Sequence, residues 1–172
     1  RNAMFLLALS CGIPSMAQKP ASADQYTHNT TVFVEFWGEG VFNSLNIEKT
    51  MAIAPLVSVH TRLGFGYKKL DANFFSVPVD VGLSYGRAVK LELSVGATPY
   101  VFSTNTGDRA SGALAPTIGL HLRFQEPNGG IFLRIGALVA PLGSLNDIPG
   151  NEDYVEKGAW GWNPGLAIGI TF

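Results

Sequence analysis

A period-two alternation of apolar and polar side chains recurs along nearly the whole sequence after residue 31. Between Phe75 and Tyr85, every odd-numbered side chain is apolar or aromatic, whereas the even-numbered residues are Ser, Pro, Asp, Gly and Ser. Successive side chains of a strand point to opposite faces, and a helix would scatter both sets around its axis. The pattern therefore predicts strands that have one apolar face and one polar face.

The same alternation predicts eight strands, which are Thr31 to Gly38, Phe42 to Lys49, Val57 to Tyr67, Phe75 to Tyr85, Val89 to Val101, Pro116 to Phe124, Ile131 to Pro141 and Pro164 to Phe172. Gly38, Glu39 and Gly40 suit a tight hairpin between the first two strands. We separate these two because a single-chain bacterial barrel with both ends on one side has an even strand number. The alternative is one kinked strand, which would leave seven and prevent closure.

The predicted links between strands alternate in length. The short links are Thr50 to Pro55, Gly86 to Ala88 and Glu126 to Gly130, and the mostly longer ones are Lys68 to Asn73, Ser103 to Ser111 and Gly143 to Gly161. Outer-membrane barrels have short turns on the periplasmic side and longer loops outside. We therefore predict an all-β fold, an eight-stranded antiparallel up-and-down transmembrane β-barrel, with both termini in the periplasm of a bacterial outer membrane.

The segment before the strands has a different character. The apolar run Phe5 to Ile13, followed by small residues up to Ala17, predicts a signal peptide over residues 1–17 with a truncated n-region. This run is too short for a membrane helix, which needs about 20 apolar residues. Lipidation at Cys11 is a minor alternative. Residues 18–30 are polar and aperiodic and predict a disordered periplasmic lead-in to a barrel over residues 31–172.

Composition argues against several functions. The chain is 47% hydrophobic and 15% charged, which predicts a packed fold, and its net charge of −1 gives no electrostatic basis for binding nucleic acid. Cys11 is the only cysteine and lies in the predicted leader, so no thiol remains for a disulfide or for nucleophilic chemistry. We predict no cofactor and no nucleic acid partner.

Alternation alone does not say which face points outward, because a lipocalin-like soluble barrel has the same period. The polar face combines small residues with a balanced charged set, which is Glu35, Glu48, His60, Arg62, Asp80, Lys90, Glu92, His121, Arg123 and Arg134. Four carboxylates, four cations and two histidines suit pairing across a narrow lumen better than a solvated surface. The sequence therefore predicts a polar lumen network and an apolar face turned to lipid.

Aromatic residues lie near the predicted strand ends, at Tyr67, Phe75, Tyr85, Phe124, Trp160, Trp162 and Phe172. Such rings mark the two membrane interfaces of outer-membrane barrels. Ordinary core aromatics are the alternative explanation. A final Phe172 in phase with Ile168 and Ile170 resembles the C-terminal signal that the barrel-assembly machinery recognises.

Five stretches carry a family resemblance: Val32 to Gly40, Phe42 to Lys49, Leu63 to Tyr67, Val77 to Gly86 and Leu166 to Phe172. They resemble the small eight-stranded outer-membrane barrels of Bacteroidota, of the OmpX and OmpA type. The resemblance covers the whole mature chain and implies fold and location, but no specific activity.

The candidate catalytic and metal residues are few. His60 and His121 are the histidines of the predicted strands, and neither has a recognisable catalytic motif or short ligand spacing. The loop with Asn146, Asp147, Asn151, Glu152 and Asp153 lacks the spacing of a calcium loop, so a solvated turn is preferred to a calcium site. We therefore expect no catalytic or metal residues.

The predicted role is structural or interactive, because eight strands enclose no aqueous channel once side chains fill the lumen. The alternatives are an accessory subunit of a larger outer-membrane complex and a barrel enzyme that modifies lipid A. The expected partners are outer-membrane lipid, lipopolysaccharide and the barrel-assembly machinery, with other envelope proteins as candidates.

Overall fold

The computed structural model describes residues 29–38, 43–69, 72–104, 110–126, 128–141 and 160–172. Its strands are β1 (Thr30–Phe36), β2 (Asn43–Ala54), β3 (Val57–Lys69), β4 (Ala72–Ser76), β5 (Val79–Gly86), β6 (Val89–Thr104), β7 (Ala110–Gln125), β8 (Gly130–Pro141) and β9 (Trp160–Thr171). All strand pairings are antiparallel, and β1 pairs with β9 to close the sheet on itself. Among the described residues, no helix is long and apolar enough to cross a membrane.

The short segments β4 and β5 are two parts of one strand of the wall. Both pair with β3 in one continuous register, since Gly66 lies opposite Ser76 and Leu63 lies opposite Val79. The interruption falls at Pro78, which has no backbone N–H to donate to the sheet. Its carbonyl still accepts a hydrogen bond from Gly64 N at 2.8 Å. The nine segments therefore form an eight-stranded antiparallel barrel, which confirms the predicted fold class.

The register fixes the geometry of the barrel. Cross-strand pairs can be followed from Ile118 of β7 in both directions around the barrel. One direction passes through β6, β5, β3, β2 and β1 and reaches Phe172, and the other passes through Val139 of β8 and reaches Trp162. The two routes reach β9 ten residues apart, so the shear of the barrel is ten residues. With about 3.3 Å per residue and about 4.8 Å between strands, this shear tilts the strands by about 41° from the barrel axis.

Several predicted boundaries were wrong. The predicted link Thr50 to Pro55 belongs largely to β2, which continues to Ala54, and the predicted loop Lys68 to Asn73 is mostly strand. The alternation of polarity weakens near these strand ends, where Ala52 and Ala54 occupy the polar face of β2, and Lys68 and Lys69 place a charge on each face of β3. Periodicity therefore ends before the backbone pairing does. The first strand ends at Phe36, before the predicted Gly38, and the separation of β1 from β2 is as predicted.

Trp37 follows β1 with a φ of 53°, the left-handed region that residues with a Cβ seldom occupy. By strict alternation it would share the inward face of Phe33 and Glu35, yet its side chain is 61% exposed. The left-handed turn therefore breaks the alternation at the end of the strand. The predicted signal peptide and all but the last two residues of the predicted lead-in lie outside the described residues.

Candidate functional site

The interior of the barrel is the strongest concentration of charge in the described structure. All ten residues of the predicted lumen set are buried, with exposed fractions from 0% to 5%. Inward and outward positions alternate along each strand, so residues two positions apart share a face, and these charged residues all face the barrel axis. We call these ten residues, named above, the lumen network.

Glu92 of β6 is the centre of the lumen network. Its Oε2 accepts a hydrogen bond from Arg123 Nη1 at 2.8 Å, and its Oε1 accepts one from Arg134 Nη1 at 3.0 Å. His121 Nδ1 lies 3.4 Å from Oε1, and His60 Nε2 lies 3.7 Å from it. One carboxylate therefore faces two guanidinium groups and two imidazole rings, with Arg123 and His121 on the adjacent β7, and Arg134 and His60 farther around the barrel on β8 and β3.

The arginines extend the network to three further carboxylates. Arg123 also pairs with Glu48, and Arg134 Nη2 donates to Glu35 Oε1 at 2.5 Å. A third guanidinium, that of Arg62, pairs with Asp80 and lies 3.4 Å from Glu35 Oε1. Charged hydrogen bonds of this kind offset the cost of burying the ions. The four carboxylates and four cations of the set balance, which a filled interior requires.

An uncharged group at the terminus-side end of the lumen was missed by the sequence analysis. Gln125 accepts hydrogen bonds from Lys90 Nζ and Arg123 Nε, each at 3.0 Å. Its amide nitrogen donates to the hydroxyls of Thr31 and Thr171, which are 2.9 Å from each other. Through Gln125, these hydrogen bonds link Lys90 to β1 and β9, the two strands that close the barrel. The alternation places Gln125, Thr31 and Thr171 on the inward face, but they are uncharged and were not among the predicted lumen residues.

Two phenylalanines lie inside the lumen among the charges, which the sequence analysis also missed. The rings of Phe33 and Phe132 are 4.9 Å apart and almost fully buried. Arg134 Cζ lies 5.1 Å from the Phe33 ring, and Arg123 Cζ lies 4.8 Å from the Phe132 ring. Guanidinium groups stack favourably on aromatic faces. Phe33 is in phase with Glu35, so the alternation in the sequence already places Phe33 on the inward face.

Nearer the loops, the fully buried side chains of the lumen are uncharged. Phe74 and Tyr100 stack with ring centroids 5.4 Å apart, and each is 2% exposed. Ala115 and Leu138 are buried on the same inner face. The fully buried charges therefore lie on the terminus side of this aromatic pair, whereas the half-buried Lys68, the cross-strand partner of Phe74, is a charged residue on the inner face at the loop end of β3.

Glycine makes room for the lumen histidines. A Cβ built at Gly82, which pairs with His60 across the strands, would lie 2.2 Å from His60 Cε1 and 2.9 Å from the carbonyl of Leu93. At Gly136, opposite His121, a Cβ would lie 2.4 Å from His121 Cδ2. These contacts are far below van der Waals separation, so each imidazole occupies the space that a side chain would need.

Replacing Gly82 by Ala is expected to destabilise the barrel by about 1 to 3 kcal/mol, because the added methyl overpacks the contact with His60. The measurement is the urea midpoint of the barrel refolded in lipid vesicles. Gly165→Ala is the matched control, since the nearest atom to its Cβ would be 3.4 Å away, an ordinary contact. Equal midpoints for the two variants would show that His60 gives way without cost.

The described residues offer little for metal chemistry. No group of three or more His, Cys, Asp or Glu side chains within the described ranges is arranged to hold a metal ion. Both lumen histidines face carboxylates that are already engaged by arginines. The predicted acidic loop between Asn146 and Asp153 lies outside the described residues.

The outer face of the wall is apolar. Along β6, for example, Val89, Leu91, Leu93 and Val95 are each 52% to 57% exposed, while Lys90, Glu92 and Ser94 between them are buried. The same inversion of polarity occurs along β5 and β7. This wall presents hydrocarbon to its surroundings and encloses its charges.

The predicted interface aromatics form the two edges of this wall. Tyr67 and Phe75 are cross-strand partners with rings 5.0 Å apart at the loop end, where Trp162 is 74% exposed. Tyr85, Phe124 and Phe172 are exposed near the opposite end. The side chain of Trp160 lies outside the described set. Ten residues separate Phe75 from Tyr85 along one strand, which at the tilt given above is about 25 Å of height.

Comparison with known proteins supports the fold. No protein-family model matches the sequence, and no curated protein does. The N-terminal β-barrel domain of Pseudomonas aeruginosa OprF superposes with a TM-score of 0.50 at 13% identity, covering 84% of this chain and 96% of that one. Ail, the attachment invasion locus protein of Yersinia pestis, gives a TM-score of 0.50 at 12% identity, covering 84% and 95%. Both are eight-stranded outer-membrane barrels, and at this identity the likeness shows the fold alone.

Proposed function

We propose that this chain is an integral outer-membrane β-barrel with a structural or interactive role, a closed polar lumen and no wide pore. The observation that carries the proposal is the inverted polarity of the wall, with exposed Leu93 beside buried Glu92. A soluble barrel would place its apolar residues inside and its charges in water. Outer-membrane barrels place an apolar band about 25 Å tall outward, between two aromatic girdles.

The filled lumen supports the absence of a pore. Arg123 and Arg134, which reach across it, are hydrogen-bonded to Glu48, Glu35 and Glu92. An eight-stranded barrel is only wide enough to be filled by its own side chains. A solute would have to displace buried ion pairs, and breaking such a pair costs several kcal/mol.

Orientation and partners follow from the same layout and are part of the proposal. Both termini lie in the periplasm, the longer loops face outward, and the wall contacts outer-membrane lipid and lipopolysaccharide. The barrel-assembly machinery engages the last strand, which ends at Phe172, and other envelope proteins are further partners. An origin in Bacteroidota rests on the sequence resemblance.

The proposal predicts that the purified chain inserts into lipid vesicles and migrates faster on gels before heating than after it, as a compact barrel does. In a planar bilayer we expect no stable conductance steps, since ion pairs occupy the lumen. Failure to insert would refute the membrane assignment, and steady open-channel currents would refute the closed lumen. Purification from outer membranes in mild detergent then tests the role, because stoichiometric recovery of other envelope proteins would identify an accessory subunit.

A further inference from the structure

Lys49 is an exception on the apolar outer wall. Its side chain is exposed on the outward face of β2, in phase with Leu45 and Ile47. Between the two aromatic edges, it carries the single charge among the outward-facing strand residues that the structure describes. Met51 and Ile53 follow it on the same face and are each 60% exposed, so Lys49 lies within the apolar wall and not at its border.

The neighbours of Lys49 hold its ammonium group without neutralising it. Its Nζ donates to Asn29 Oδ1 and to Thr30 Oγ1, and Thr30 and Thr61 are its cross-strand partners. An ammonium has three donors, so one remains for an acceptor from outside the chain. No described carboxylate forms an ion pair with it. A charge on a lipid-facing wall is costly unless it has a partner or reaches the interface.

A shallow groove of about 440 Å³ runs along the wall at this point, lined by Thr30, Ile47, Lys49, Thr61 and Leu63 among others. Its two ends differ in chemistry. The end nearer the chain terminus carries the ammonium and two hydroxyls, and the end nearer the loops carries the cross-strand pair of Ile47 and Leu63. A phospholipid of the periplasmic leaflet has the complementary arrangement, with an anionic phosphate toward the periplasm and acyl chains toward the membrane centre.

We infer that this groove binds one phospholipid of the periplasmic leaflet, with its phosphate on Lys49 and an acyl chain along Ile47 and Leu63. The inference rests on the proposed function, because it requires the wall to face lipid with the chain terminus on the periplasmic side. Thr61 adds a hydroxyl donor to the phosphate beside the ammonium, while the Thr30 hydroxyl donates to Asn29 Oδ1 at 3.4 Å and accepts from Lys49 Nζ. The site fixes a particular lipid molecule against β1, β2 and β3, beside the seam between β1 and β9 that closes the barrel.

The test is native mass spectrometry of the folded barrel released from detergent micelles that contain phosphatidylglycerol. The wild type is expected to retain one lipid, and Lys49→Gln is expected to retain about fivefold less, as the loss of one lysine at an anionic lipid surface implies. Lys49→Arg should retain the lipid. Lys69→Gln is the matched control, since Lys69 is also exposed on β3 but lies at its loop end.

Four outcomes would overturn the inference. Equal retention by wild type and Lys49→Gln would mean that Lys49 only extends to the interface, and an equal loss in Lys69→Gln would mean that total charge governs binding. Displacement of the lipid by inorganic phosphate would identify a free anion as the occupant. Heat-shifted migration checks that each variant is folded. A wild type that inserts into vesicles without retaining lipid refutes this inference alone, whereas failure to insert refutes the proposed function.

Discussion

Replacing Glu92 by Gln is expected to lower the free energy of unfolding by about 3 to 5 kcal/mol, the largest stability effect expected of any substitution discussed for this barrel. Glutamine keeps the size of the side chain and removes its charge. Arg123 and Arg134 would each keep one carboxylate, Glu48 and Glu35 respectively, but the buried cations would outnumber the buried anions. The penalty is that of an uncompensated charge held away from water.

Urea unfolding of the refolded barrel in vesicles measures this effect. Glu126→Gln is the matched control, because Glu126 lies in an exposed turn and its replacement should change stability by no more than about 0.5 kcal/mol. Adding Arg123→Gln to Glu92→Gln restores the charge balance and should recover part of the loss, which a double-mutant cycle resolves. If Glu92→Gln unfolds at the wild-type urea concentration, the lumen network does not hold the barrel together.

Replacing Leu93 by Arg is expected to block insertion into the membrane. Leu93 is next to Glu92 in sequence but lies on the opposite face of the wall. Leu93 is 55% exposed on the outer face, about halfway between the aromatic edges, where an arginine costs about 2 to 4 kcal/mol. The measurement is the fraction of chain that reaches the heat-shifted folded form in vesicles. Val79→Arg, at a similar depth on β5, should behave in the same way.

Val89→Arg is the matched control for Leu93→Arg. Val89 lies on the same strand and face with the same 55% exposure, but at the terminus-side edge, where the cost falls to about 0 to 1 kcal/mol. The expected result is a depth-dependent defect, strong at Leu93 and weak at Val89. Normal insertion of Leu93→Arg would mean that this face does not contact lipid, and it would refute the proposed function.

The alternation of side chains determined the strands and their faces from the sequence alone. It predicted eight strands and placed Glu92 and Arg123 on one face and Leu93 on the other, and the structure has these residues on those faces. This property is local, because consecutive side chains of any extended chain point to opposite sides. The same rule also places Phe33 on the inward face, but only the charged inward residues were predicted as members of the lumen network.

Only the tertiary structure decided which groups meet. Arg134 pairs with Glu35, 99 residues away in sequence, and Arg123 pairs with Glu48, 75 residues away. Such contacts depend on the register of every strand between them and on the shear at closure, and a shift of one residue would turn each side chain to the other face. The alternation therefore specified an inside and an outside, while the register of the strands and the closure of the barrel selected the partners across the lumen and placed Thr30 and Thr61 beside Lys49.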